Sequence, residues 1–287
     1  MASRTSPTVR RRRLASEMRR LRRESGKTRE EAAKFADIAP ATVSRIEAAV
    51  HAPKVADIMA LCKFYGLDDD RTEVLVALAR QSRQRGWWHQ YSGSIPDWFE
   101  VYVGLEEEAS EVLHYEPEAI PGLLQVEGYI RAISLAGLEA PPDEELERRV
   151  ALRLKRQERL TSSDAPKVWA ILNEGAIRRQ VGGPETMRQQ LNHLTSLSQL
   201  NHINIVVLPF SAGAHPGMHG PCTLLRFPEP ADPDVAYVQY RRGSVYLEDP
   251  SDISHYVEVF DHLRSRALGP DESRALIARA SGEMSEA

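Results

Sequence analysis

Two segments concentrate side chains suited to recognition or reaction. From Thr28 to Glu47 the chain reads TREEAAKFADIAPATVSRIE. Two short helices meeting at a sharp turn need a small residue where they touch, and Ala33 supplies it. They need a residue tolerant of left-handed geometry at the turn, here Asp37, then a buried apolar side chain, here Ile38. Val43 and Ile46 are spaced to anchor the second helix to a core. This is the spacing of a helix-turn-helix, which offers its second helix to the major groove of DNA. A purely structural hairpin would satisfy part of the pattern, but the surrounding charge favours DNA. Residues 1–85 carry 19 Lys and Arg against 11 Asp and Glu, a surface that attracts a polyanion.

The second segment is Ser211–Pro221, SAGAHPGMHGP. His215 and His219 have the four-residue spacing of a metal pair, but that spacing works on a helix, and Pro216, Gly217 and Gly220 oppose one. No cysteine cluster or HExxH accompanies them, so no metal and no cofactor is expected. A serine hydrolase would need a GxSxG elbow, which is absent. The segment reads either as a shaped binding surface, with Phe210, His215, Met218 and His219 as partner or ligand anchors, or as a connector between strands. No catalytic residues are assigned, and the chain is not expected to be an enzyme.

The elements that would carry these segments follow from periodicity and capping. Residues 1–13 read as a flexible basic arm holding Arg4 and the run Arg10, Arg11, Arg12, Arg13, set to meet phosphates or the minor groove, with a merely solvated tail as the alternative. Helical periodicity starts at Leu14, with Met18 and Leu21 on the same face, and stops at Gly26. Thr28 with Glu31 forms a capping box for the second helix. Pro40 opens the third. A fourth helix carries Ile58, Leu61, Cys62 and Tyr65 inward, and a fifth, capped by Asp68–Asp70, carries Val74, Leu75 and Leu78. Past Gly86 the pattern changes. Trp87 and Trp88 read as packing at the domain junction, with ligand stacking as the alternative. Helices are expected near 97–109, 126–136, 144–161, 251–266 and 271–281. The 144–161 helix has Leu146, Val150, Leu154 and Leu160 as its buried stripe. Strands are expected at Lys167–Leu172, Ile203–Pro209, Thr223–Phe227, Val235–Tyr240 and Ser244–Leu247, the last two joined by a hairpin turn at Arg242-Gly243. Glu106–Glu108 reads as a solvated face.

At 287 residues the chain is long enough for two domains. Its composition, 42% apolar and 27% charged, is that of a globular protein that needs no disulfide or metal staples. The net charge of −4 hides an asymmetry, since residues 86–287 carry 18 Lys and Arg against 30 Asp and Glu. The acidic part would repel nucleic acid, so the two parts have different tasks. No apolar run approaches a membrane span and no signal peptide is evident. Cys62 and Cys222 are the only cysteines. Both read as reduced core residues of a cytoplasmic protein.

Residues 10–80, through Gly26-Lys27-Thr28, the motif and Pro53, resemble the Cro/C1-type (XRE-like) helix-turn-helix family, whose domain has five helices. The resemblance implies that Ala41, Thr42, Ser44 and Arg45 reach base edges, with a phosphate as the alternative for Thr42. Arg45 suits guanine and Ala41 a thymine methyl. It also implies that Arg29 and the His51–Lys54 loop, Lys54 above all, sit on phosphates. Arg22 and Glu47 match a pair that family members use to tie the first and third helices; the other reading of Glu47 is a solvated residue. The sequence departs from the family at Arg29, Ala32, Asp37 and Ala39, where Gln, Leu, Gly and a Ser or Thr cap are usual. Lacking a side-chain cap, Ala39 should weaken the helix start by about 1 kcal/mol.

Beyond residue 86, the stretches WWHQYSGSIPDWFEVYVGLEEEAS, YEPEAIPGLLQVEGYIRA, RLKRQERL and LPFSAGAHPGMHGPCTLLRFPEPADPDVAYVQY resemble an actinomycete family of WhiJ-like, or antitoxin-like, transcriptional regulators. Many of its members are encoded beside a small BldB-related protein. The expectation is therefore an all-α five-helix domain (14–85) behind the arm (1–13), followed by a larger α+β regulatory or partner-binding domain (86–287) with a mainly antiparallel sheet. The function expected is that of a homodimeric regulator binding double-stranded operator DNA, with the larger domain sensing a small partner protein or ligand. An antitoxin-like interaction protein with DNA binding secondary is the alternative, and an enzyme fused to a DNA-binding module the third reading.

Overall fold

The computed structural model describes residues 6–229 and 232–284. Arg4 of the expected arm lies outside them. They divide into two compact units, one comprising residues through Gln90 with Glu229 and Asp232, the other Tyr91–Pro228 and the chain from Pro233.

The first unit is all-helical: α1 (Pro7–Glu24), α2 (Arg29–Phe35), α3 (Pro40–Glu47), α4 (Val55–Phe64) and α5 (Asp69–Gln81). The arm reading needs correction. Helix α1 begins at Pro7, because Ser6 caps it (Oγ accepts from Thr8 N–H, 3.2 Å) and proline suits the first turn. Arginine is a good helix former, so the run Arg10–Arg13 continues the helix and does not fray. Val9, at 1% exposure, anchors those first turns. Leu14, Met18, Val43, Ile46, Ile58 and Leu61 share one core with Cys62, whose thiol burial pushes up to about 11. Leu75 faces inward as expected, but Val74 is 62% exposed and lines a groove with Leu21, Leu67 and Leu78. Trp88 is buried with its ring over Gly86, where an added Cβ would fall 2.4 Å from it, and Trp87 meets its edge.

The second unit is built on a six-stranded mixed sheet of β1 (Glu111–Glu116), β2 (Lys167–Asn173), β3 (Ile203–Leu208), β4 (Cys222–Arg226), β5 (Val235–Tyr240) and β6 (Gly243–Leu247), in the order β3-β2-β1-β4-β5-β6. The pairings β1–β4, β4–β5 and β5–β6 are antiparallel, so the sheet is mainly antiparallel as expected. β1–β2 and β2–β3 are parallel. The helices are α6 (Asp97–Glu106), α7 (Glu127–Leu135), α8 (Asp143–Gln157), the short α9 (Glu174–Arg178), α10 (Gly183–Leu197), α11 (Pro250–Arg266) and α12 (Pro270–Glu283). Strand β1 and helix α10 have no counterpart in the sequence reading, and the β5–β6 turn is Arg241-Arg242, with Tyr240 opposite Gly243.

Both faces of the parallel block are covered, which is why β2 and β3 are apolar at almost every position. Val168, Ala170, Leu172, Ile205 and Val207 pack under α10 and α12. Ile171, Val206 and Leu208 turn to the opposite face, with Leu113 and Tyr115 of β1, and meet Phe260 and Leu263 of α11. Alternation along each strand thus feeds two separate cores. Among the described residues no helix is long and apolar enough to cross a membrane.

Candidate nucleic-acid interface

The α2–turn–α3 geometry follows from its residues one at a time. Thr28 Oγ1 accepts from Glu31 N–H (3.1 Å) and Glu31 Oε2 accepts from Thr28 N–H (2.8 Å), which fixes where α2 starts. Asp37 adopts φ 54°, and Ile38 N–H then reaches back to the Ala33 carbonyl at 3.0 Å, closing the turn. Ala32 and Ala33 are buried where a larger side chain would hold the helices apart. Helix α3 starts at Pro40 without a side-chain cap, as Ala39 implies.

Helix α3 buries Val43, Ile46 and Glu47 and leaves Ala41 and Arg45 exposed, with Thr42 and Ser44 partly so. The four candidate base-reading residues therefore share the outward side. Glu47 is the pivot that fixes this orientation. Its carboxylate, 2% exposed, accepts from Arg22 Nε (2.5 Å) and Nη2 (3.1 Å) and from Arg29 Nε (2.9 Å), while its carbonyl accepts from Arg19. Burial alone would raise the Glu47 carboxyl, but the two guanidiniums outweigh it and hold the group below the ordinary glutamate value. Glu47 is therefore not a solvated residue. Helices α1, α2 and α3 are tied at one carboxylate.

The expected phosphate contacts fare unevenly. Arg29, at 44% side-chain exposure, is held by Glu47 yet keeps part of its surface open. Lys54 is exposed at the start of α4. In the arginine run, Arg10 Nη1 donates to Gln84 at 3.2 Å, Arg12 is 8% exposed, and Arg11 and Arg13 are half-buried. They are helix residues, with at least two engaged inside the fold.

In the second unit the Ser211–Pro221 segment carries two single turns, Phe210–Ala212 and Pro216–His219. Arg266 of α11 clamps it by donating to the carbonyls of Ala214 (2.5 Å) and Ala212 (3.3 Å), and Phe210 N–H donates to Glu174 (2.9 Å). So held, the segment presents Phe210 (61% exposed) and Met218 (70%) to solvent, with His219 exposed beside them. His215 departs from the expectation of a surface anchor. Its half-buried ring lies edge-on to Tyr115, 5.9 Å between centroids, with Nδ1 lacking a partner among the described residues. Burial, with Arg266 and His262 nearby, lowers its pKa. Gly217 lies against the Tyr115 ring, 2.5 Å from where a Cβ would stand. Among the described residues no three of His, Cys, Asp and Glu gather as a metal-binding group. Cys222 is buried, and its thiol is pushed up to about 12.

The sequence reading missed a buried polar centre between α6, α8 and the sheet. Glu106 is 3% exposed, not solvated, and receives Arg156 in a bidentate pair (2.7 and 2.8 Å). Burial disfavours both charges, yet each holds the other ionised, Glu106 below and Arg156 above its ordinary value. Arg156 also stacks over Phe99 and Tyr102. On β1, His114 Nδ1 bonds Thr223 (3.0 Å) while Nε2 has no partner among the described residues, and burial pushes its pKa down to about 4. The i,i+4 pair Tyr102/Glu106 and the arginines at 149, 153 and 156 on one side of α8 were the available signal. Leu146 and Val150 are buried on α8 as expected and Leu154 is only partly buried, while Leu152 and Arg156 are buried on another side of the helix.

Compared with known families, residues 99–279 match a domain of unknown function (DUF5753), and residues 13–75 match a helix-turn-helix domain. No curated protein and no solved structure matches the chain significantly.

Proposed function

The chain belongs to the family of that domain of unknown function (DUF5753), and we propose that it is a sequence-specific DNA-binding transcriptional regulator whose larger domain senses a small partner protein or ligand. The observation that carries this reading is the outward side of α3, Ala41, Thr42, Ser44 and Arg45, locked in orientation by the Arg22–Glu47–Arg29 tie. A rigid helix with small residues and one arginine on its exposed side fits the major groove, where Arg45 reads guanine and Ala41 leaves room for a methyl group. Arg29 and Lys54 take phosphates on either side.

One such helix reads only a few base pairs, so the regulator acts as a homodimer on paired half-sites in the cytoplasm. Its resemblance to the WhiJ-like regulators points to a small BldB-related partner, and the clamped Phe210–His219 segment offers it two exposed apolar anchors. That segment also supports the second reading, an antitoxin-like protein for which restraining the partner is the main task. No chemistry is assigned to the larger domain.

Binding-site selection on random duplexes tests the reading. Arg45→Ala should weaken specific binding by about 1–3 kcal/mol and relax one base-pair position, whereas Lys54→Ala weakens all sequences alike. An unchanged selection profile for Arg45→Ala overturns the assignment of α3. Loss of partner capture but not operator binding in Phe210→Ala/Met218→Ala supports the sensing segment, and retention of both reduces it to a connector.

A further inference from the structure

The sheet of the larger unit ends differently on its two sides. At β3 the linker before α12 closes the edge: Leu268 N–H donates to the Val207 carbonyl (2.9 Å), and Val207 N–H donates to Ser273 Oγ (2.9 Å). At the opposite end no strand lies beyond β6 among the described residues. Soluble proteins guard such an edge with a charge, a proline or a bulge. The five residues of β6, Gly-Ser-Val-Tyr-Leu, hold neither charge nor proline, and they pair with β5 without a break from Gly243 to Leu247. Val245 is 44% exposed and Tyr240 56%. The strand is nonetheless firmly held. Tyr246 Oη donates to the Trp98 carbonyl of α6 (2.5 Å), and Leu247 packs against the core that holds Phe260 and Leu263 of α11.

The turn sets the backbone phase of β6. A two-residue turn, here Arg241-Arg242, closes on a hydrogen-bonded pair, Tyr240 with Gly243, and bonded and open positions alternate from there. Gly243, Val245 and Leu247 therefore give their backbone groups to β5, while Ser244 and Tyr246 turn theirs toward the edge. Val245 stands opposite Val238, so its side chain lies on the α11 face, at the outer end of that apolar row.

We propose that this edge is a contact with a second copy of the chain, β6 lying antiparallel to β6 across a two-fold axis at Val245. In that register Ser244 stands opposite Tyr246 of the second copy. These are the two residues whose backbone groups face outward, so each pair can exchange both bonds. Val245 meets its own counterpart at the axis as the closer, unbonded kind of pair, which suits two β-branched side chains. The flanks of the strand complete the match. Arg241 and Arg242 precede it and Glu248 and Asp249 follow it, all exposed, so the basic turn of each copy lies against the acidic end of the other. A shift of two residues either way breaks up the Ser244–Tyr246 pairs and separates those charges. The edge is self-complementary, as an isologous contact must be. The inference rests on the homodimer reading above and supplies the contact that the reading leaves open.

The test is sedimentation of the full-length protein, which should be dimeric at micromolar concentration. Val245→Lys sets two like charges on the axis and should raise the dimer Kd at least about tenfold, while Val245→Thr retains it. Arg242→Glu and Glu248→Arg should each weaken the dimer, since each leaves like charges facing across the edge. An equimolar mixture of these two variants should associate more tightly than either alone, because each copy then meets opposite charges on the other. Unchanged urea midpoints for Val245→Lys establish that lost association is not unfolding. Val245→Lys that dimerises as tightly as the natural chain, or a mixture no tighter than its components, overturns the edge contact and leaves the homodimer reading standing. A natural chain that is monomeric at hundred-micromolar concentration also overturns it and leaves the edge to a strand of some other protein. The homodimer reading is judged separately, by copies bound per selected duplex: one copy refutes that reading, and two keep it whatever the fate of the edge.

Discussion

Replacing Glu47 with leucine should loosen the helical unit far more than loss of a surface charge. The variant leaves the Arg22 guanidinium, 13% exposed, with one remaining partner, the Lys27 carbonyl at 3.0 Å. Breaking a buried pair by removing one member costs about 3–5 kcal/mol. Arg29 is open enough that its share is that of a surface pair, about 0–1 kcal/mol. Because Arg22 keeps one carbonyl and a little solvent, the lower end applies, about 3 kcal/mol. Hydrogen exchange of the α2 and α3 amides in the full-length protein reads this directly. The double variant Arg22→Leu/Glu47→Leu should recover much of the loss, since it leaves no orphaned charge. The native Glu47 pKa lies below the ordinary value of about 4.3. The stabilisation is therefore complete above that value and disappears as pH falls through the native pKa, and the double variant should lack this acid sensitivity. A loss below about 1 kcal/mol in Glu47→Leu, or additive single and double variants, would refute the pivot.

Three further outcomes are expected. His114 is held neutral with its pKa near 4, so the larger domain should lose stability as pH falls from about 6.5 toward 4, the unfolded chain taking up a proton that the native one refuses; urea midpoints against pH should flatten over that window in His114→Gln. Gly217→Ala places a Cβ 2.5 Å from the Tyr115 ring and should destabilise by about 1–3 kcal/mol, read as faster exchange at 215–219; a neutral effect would show that the segment is not seated there. Removing residues 1–13 deletes buried Val9 and the first turns of α1, and should lower thermal stability by about 1.5–3 kcal/mol in free-energy terms, whereas a solvated arm would leave it unchanged.

The helix-turn-helix was legible because every signal in it is local. The Thr28/Glu31 box, the left-handed Asp37 and Pro40 each act within a few residues, and each sits where the spacing places it. The same locality explains the failures. The ends of β1 are glutamates and its middle holds a histidine, so no window of sequence reads as a strand. What makes it one is its pairing with β2 and β4, and Thr223 of β4, 109 residues away, bonds only Nδ1 of that histidine. Glu106 looked like the first of three surface acids because Arg156, its partner, is 50 residues off. The α1 start was misjudged because a run of four arginines suggests solvent, while Ser6-Pro7 before it is a capping signal. His215 was placed on the surface with its neighbours, but whether a loop side chain turns in or out depends on what fills the space beneath, here Tyr115.

The central position of β1 also sets an order of events during synthesis. Its partner on one edge is β2 and on the other β4, whose Arg226 lies 115 residues beyond Glu111, to which it is bonded. Until β4 leaves the ribosome one edge of β1 has nothing to pair with, and exposed strand edges invite misassembly. The core under β2 and β3 closes later still. It needs Leu276 and Ile277 of α12, and Ser273 to receive the Val207 amide at 2.9 Å. The helical unit draws its core from within its own first eighty or so residues, and contacts that close in sequence assemble fast. A nascent chain therefore completes the helix-turn-helix long before the larger domain can close. A ribosome that stops short of α12 releases a chain with the first part finished and the second open.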